Sequence, residues 1–70
     1  DAKTKLQEYS LKFFKVLPNY KLISNTGPRH KPLFKVAVKL KNTKFFTAEG
    51  VSKKDAEQNA ASLCYEGTLK

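Results

Sequence analysis

Tryptophan and methionine are absent from this 70-residue sequence, and Cys64, His30 and Arg29 are each the only residue of their kind. A single cysteine forms no internal disulfide and no cysteine-based zinc site, a usage that suits a reducing compartment. His30 has no cysteine or second histidine near it in sequence, so it builds no metal site, and as a catalytic base it lacks a partner. Acids number 6 and are scattered as Asp1, Glu8, Glu49, Asp55, Glu57 and Glu66. Metal-dependent hydrolysis needs several carboxylates held together, so no catalytic residue, no metal ligand and no cofactor of this domain is expected. No apolar run approaches the roughly 20 residues that span a bilayer, and the start has no signal-peptide pattern. The expectation is a soluble, cytoplasmic chain with no membrane partner. Low-complexity tracts and internal repeats are also missing.

What is abundant is lysine. Of 14 basic residues 13 are Lys, and the formal charge is +8. Residues 1–54 hold 13 basic and 3 acidic side chains, a balance of +10, whereas residues 55–70 come to −2. Lysine meets phosphate as a point charge and is less suited than arginine to bidentate reading of guanine edges. The composition therefore points to a polyanion backbone. Seventy residues make one domain with one core, covering residues 1–70.

Apolar spacing places three organised stretches along the chain. Leu6, Tyr9, Phe13, Phe14 and Leu17 form one stripe of an amphipathic helix. Pro18 and Asn19 are expected to stop it. Thr4, Gln7, Glu8, Leu11 and Lys15 lie on its opposite face. Asn19 to Ser24 reads as extended, and the turn-rich segment Asn25 to Pro32 is too long for a tight hairpin. From Leu33 to Lys41 the pattern alternates: Phe34, Val36, Val38 and Leu40 face a core, and Lys35, Ala37, Lys39 and Lys41 face water. Asn42-Thr43 permits a turn into a third strand at Lys44 to Glu49. A second helix starts at Ser52, capped by that hydroxyl with Asp55 completing a capping box, and is expected to bury Ala56, Ala60, Leu63 and Cys64 and to end at Gly67. The predicted fold is α+β, in the order α-β-β-β-α, with two helices packed on one face of a three-stranded antiparallel sheet.

Three places carry chemistry. Lys53 and Lys54 stand in the first turn of helix two, where the helix dipole disfavours cations by about 0.3–1 kcal/mol each. A phosphate at the free amides would remove that conflict, so Gly50 to Lys54, with Ser52 among them, reads as a phosphate clamp. On helix one, Glu8 would be repelled by phosphate yet accepts a hydrogen bond from a ribose 2′-hydroxyl, which the wide minor groove of A-form RNA displays. Thr4 and Gln7 sit beside it. The third place is the loop Gly27-Pro28-Arg29-His30, a stiff protrusion with the lone arginine and lone histidine.

The words Thr4-Lys5-Leu6-Gln7-Glu8-Tyr9, Leu17-Pro18-Asn19-Tyr20, Gly27-Pro28-Arg29-His30, Phe34 and Glu49-Gly50-x-Ser52-Lys53-Lys54-x-Ala56-Glu57-Gln58-x-Ala60-Ala61 resemble, in order and spacing, the double-stranded RNA-binding domain over nearly the whole chain. The wording is most similar to the domain at the C-terminal end of bacterial-type ribonuclease III. The resemblance implies that Thr4, Gln7, Glu8 and Leu11 enter one minor groove and Gly27, Pro28, Arg29 and His30 the next, while Ser52, Lys53 and Lys54 grip the major-groove phosphates between. Such domains span about 16 base pairs and read shape more than sequence.

It also implies a fragment of a larger nuclease that would need Mg2+ for a domain absent here. The isolated domain is expected to be monomeric and the parent a homodimer. The alternatives are a protein-interaction module of the same fold and a duplex-RNA binder outside the nucleases. Three positions depart from the family: Leu11 replaces a common glutamine, Ala48 a glycine, and Glu57 a third lysine. They are expected to remove a minor-groove hydrogen bond, alter the turn into helix two and weaken phosphate binding.

Overall fold

The computed structural model describes residues 1–69, in the order α1 (Ala2–Phe14), β1 (Asn19–Thr26), β2 (Leu33–Lys39), β3 (Phe46–Gly50) and α2 (Lys53–Thr68). The strands form one antiparallel sheet in the order β1-β2-β3, with α2 packed on β2 and β3 and α1 packed on α2. This is the predicted α-β-β-β-α architecture.

Most of the core forms where the sequence pattern puts it. Val36, Val38 and Leu40 of the central strand region, Leu6 of α1, and Ala56, Ala60, Ala61 and Cys64 of α2 are buried together. Three of the four buried α2 residues are alanines, so the helix backbone sits close to its neighbours on both sides. Burial also pushes the Cys64 thiol pKa up, against a smaller opposing effect of its hydrogen bond with Thr68. Phe34 packs against the core from partial exposure.

Several expectations shift. Helix α1 ends at Phe14, because Lys15 takes the left-handed region (φ 63°) and its N–H bonds to the Leu11 carbonyl. Three residues earlier than Pro18, this cap takes Leu17 off the helix, where it is 62% exposed. Phe13 is 58% exposed as well; it leans on Tyr9, ring centroids 4.6 Å apart. In their place Ser10, one turn after Leu6, is fully buried, its Oγ donating to the Val16 carbonyl at 2.6 Å. That bond ties the chain beyond the cap back to the helix.

On α2 the buried stripe turns toward Ala61, leaving Leu63 49% exposed. Helix α2 has two neighbours to cover, the sheet and α1, and Ala61 is fully buried in the core they share. Gly67 does not end the helix; it is helical, and a Cβ there would stand 2.6 Å from the Phe46 ring. Ala37, expected to face water, is only 2% exposed, flanked in register by Lys21 and Thr47. The first strand runs two residues longer than predicted, to Thr26, with a bulge between Leu22 and Ser24. Ala48 pairs with Val36 and packs on the core, so the turn into α2 is set after it, at Gly50.

Candidate nucleic-acid interface

Helix α2 begins from a capped and crowded turn. Ser52 is extended (φ −141°, ψ 164°) and its Oγ accepts the Asp55 N–H at 3.0 Å; the Ala56 N–H bonds to the Ser52 carbonyl at 2.9 Å. The helix itself offers no acceptor to the amides of Lys53 and Lys54, which remain directed out of its positive end. Both lysine side chains are exposed. A Cβ on Gly50 would meet the Ala56 nitrogen at 2.5 Å, so the backbone that approaches this glycine is the helix's own first turn. Asn59 Nδ2 donates to the Glu49 carbonyl at 2.8 Å and holds the same turn against β3.

The loop between β1 and β2 leaves the same end of the sheet. Asn25, Phe34 and Gly50 form a row across all three strands, and the loop starts one pair beyond it, after Thr26–Leu33. Gly27 has φ 90°, and the Lys31 N–H closes a turn on the Pro28 carbonyl at 2.9 Å, with Arg29 and His30 at its tip. Gly27, Pro28, Arg29, His30 and Lys31 are all exposed.

Helix α1 lies along α2 in the same direction: Lys3 touches Glu57 and Gln58, and six residues on Tyr9 meets Tyr65 edge to face, with 6.0 Å between centroids. Thr4, Gln7 and Glu8 are exposed on α1, as is Leu11 at 41%. Glu57 follows Lys53 by four residues and Lys54 by three, so on a helix all three share a side. That side faces the first turns of α1. The loop and the α2 lysines therefore share one end of the sheet, and the first turn of α1 adjoins the lysines.

The residues that tie α1 to α2 escape a reading of the sequence. Lys3 Nζ lies 2.8 Å from Glu57 Oε1, the Lys3 N–H donates to Gln58 Oε1 at 3.3 Å, and the same ammonium sits 5.3 Å from the centroid of the Tyr20 ring. Asp1 caps α1, its Oδ1 accepting the Thr4 N–H at 2.9 Å. The Tyr20 hydroxyl is buried with no hydrogen-bond partner among the described residues. Burial first, then the Glu57 carboxylate, push its pKa up to about 12.

Residues 2–67 match the family described as "Double-stranded RNA binding motif". The chain belongs to that family. It is 89% identical over its whole length to Ribonuclease 3 of Pelagibacter ubique and 51% identical to Ribonuclease 3 of Leptospira interrogans. It spans 32% of the first relative's length and 28% of the second's, about a third of either. Among solved structures it is similar to one from a study of Arabidopsis HYL1 and miRNA processing, with a TM-score of 0.82 at 35% identity over 99% of this chain and 97% of that one. The solution structure of the second double-stranded RNA-binding domain of DRB4 gives a TM-score of 0.69 at 32% identity, covering 100% of this chain and 97% of the other. Both are similar along almost their full length.

Other ligand classes find less here. Among the described residues no three His, Cys, Asp or Glu side chains cluster in a way that could hold a metal ion. Among the same residues no helix is long and apolar enough to cross a membrane. The exposed Phe45 ring has Lys39 5.7 Å from its centroid, while Phe46 packs on the core. Phe45 precedes β3 and its ring is open, whereas Phe46, the first residue of β3, turns its ring to the core.

Proposed function

We propose that the domain binds double-stranded RNA by its A-form shape, as the RNA-binding domain of a ribonuclease III. Lys53 and Lys54 grip phosphates across the major groove as point charges, assisted by their own amides and the Ser52 hydroxyl. Thr4, Gln7, Glu8 and Leu11 enter one minor groove, where Glu8 accepts from a 2′-hydroxyl. Gly27, Pro28, Arg29 and His30 enter the next. One observation carries this reading: the loop and the clamp leave the same end of the sheet, and the N-terminal half of α1 lies beside the clamp.

The finer assignments concern the whole protein. The relatives' name, Ribonuclease 3, supports a nuclease as the parent; we further propose that it acts on duplex RNA through a catalytic domain outside this chain, with Mg2+ as that domain's metal. We place it in the cytoplasm, with the isolated domain a monomer and the parent a homodimer.

The test is a titration of the domain against a duplex RNA of about 20 base pairs, the matching DNA duplex and the single strand at near-physiological salt. Duplex RNA binds tightest under this reading. Equal affinity for RNA and DNA duplexes, or a preference for the single strand, contradicts it.

A further inference from the structure

Glu57 stands one helical turn after the clamp, where a carboxylate facing a polyanion should repel it. Its surroundings give it other work. The side chain is 18% exposed and meets the ammonium of Lys3, itself 38% exposed, at 2.8 Å. The neighbouring Gln58 Oε1 accepts the backbone N–H of that same lysine at 3.3 Å. Beneath the pair the Tyr20 ring lies 5.3 Å from the ammonium. A single residue of α1 is thereby fixed to α2 by side chain and backbone, and to β1 by its contact with a ring.

This anchor falls between the two parts that must meet the RNA together. Lys3 directly precedes Thr4 and lies one turn before Gln7, while Glu57 lies one turn after Lys53. We propose that Glu57 is a positioning residue for RNA recognition: its ion pair with Lys3 holds α1 at the separation from the α2 clamp that lets minor-groove and phosphate contacts form on one duplex. The proposal rests on the duplex-RNA reading above. It assigns Glu57 a favourable role that its charge alone denies.

The two accounts of Glu57 predict opposite signs, and Glu57→Gln separates them because it keeps the size of the side chain and removes its charge. If the carboxylate only repels phosphate, the variant binds RNA and DNA duplexes more tightly, whatever stands at position 3. If it positions α1, the variant weakens duplex-RNA binding by about threefold, the scale of one partly exposed ion pair, and narrows the preference for RNA over DNA. In a Lys3→Met background the same substitution then causes no further weakening, because the pair is already broken. Exchanging the charges, Lys3→Glu with Glu57→Lys, restores the RNA preference.

Circular dichroism and thermal melting of each variant establish that it is folded. A lowered melting temperature with an unchanged RNA preference assigns the pair to stability alone and overturns the proposal, as does tighter binding by Glu57→Gln in both backgrounds. Failure of the underlying reading shows separately, in the unaltered domain, as no preference for duplex RNA.

Discussion

The Cα of Gly50 faces the backbone of Ala56 so closely that a side-chain carbon would stand 2.5 Å from the Ala56 nitrogen and 2.8 Å from the carbonyl carbon of Asp55. Neither neighbour is a flexible side chain that can swing aside. The last residue of β3 and the first turn of α2 are held together by what position 50 lacks, and the clamp lysines stand on that turn.

Gly50→Ala therefore acts on both stability and binding. Forcing a methyl group into a packed backbone contact destabilises by about 1–3 kcal/mol, and relief requires α2 to move away from the sheet end. The expected outcome is a lower urea midpoint with an unchanged m-value, together with weaker duplex-RNA binding at protein concentrations where the variant is folded. A variant as stable as the parent shows that the turn has slack.

Lys53→Ala combined with Lys54→Ala touches no core contact, since both side chains are exposed. The fold stays intact, and stability rises by up to about 1–2 kcal/mol as two cations leave the positive end of the helix. Binding weakens alike for duplexes of different sequence, and the magnitude of the slope of log K against log salt falls by roughly 0.9 for each lost phosphate contact, by analogy with duplex DNA. An unchanged slope removes α2 from the interface.

Glu8→Ala acts on discrimination. Loss of an acceptor for the 2′-hydroxyl weakens RNA binding more than DNA binding and narrows the ratio between them. Parallel titrations with matched RNA and DNA duplexes measure it. An equal change on both refutes the hydrogen bond to ribose.

Tyr20 ties stability to alkaline pH. Its folded pKa is raised from 10.0 to about 12, chiefly by burial. Below pH 10 the phenol is neutral in both folded and unfolded chains and its contribution is whole. Between pH 10 and about 12 the unfolded chain releases the proton while the folded domain keeps it, so the unfolded state gains by about 2 kcal/mol, after allowance for partial exposure. Tyr20→Phe removes that part of the alkaline loss. Because the hydroxyl is buried without a partner, the variant at neutral pH equals the parent or exceeds it by up to about 1 kcal/mol. Urea unfolding of both proteins from pH 8 to pH 12 gives the comparison.

The parts of this fold legible in the sequence are those set by short-range pattern. Alternation from Phe34 to Leu40 shows the core face of β2, and Ser52 with Asp55 marks the start of α2, because a strand period and a helix cap each depend on residues a few positions apart. The end of α1 was not legible, since Lys15 adopts a left-handed conformation that no lysine advertises and Pro18 offered a stronger apparent stop. The Lys3–Glu57 pair joins residues 54 positions apart. No local rule connects them, which is why Glu57 reads in sequence as a missing lysine. The burial of Ala61 in place of Leu63 has the same origin, as it depends on how α2 is rotated between two partners.

The most direct measurement of the central claim is a chemical-shift titration of the isotope-labelled domain with a duplex RNA of about 20 base pairs. The account predicts shifts gathered at Thr4, Gln7 and Glu8, at Gly27 to His30 and at Ser52 to Lys54, with Lys21, Lys35 and Lys39 on the open side of the sheet unmoved. Shifts concentrated on those three sheet lysines, with the loop and α2 start silent, contradict it.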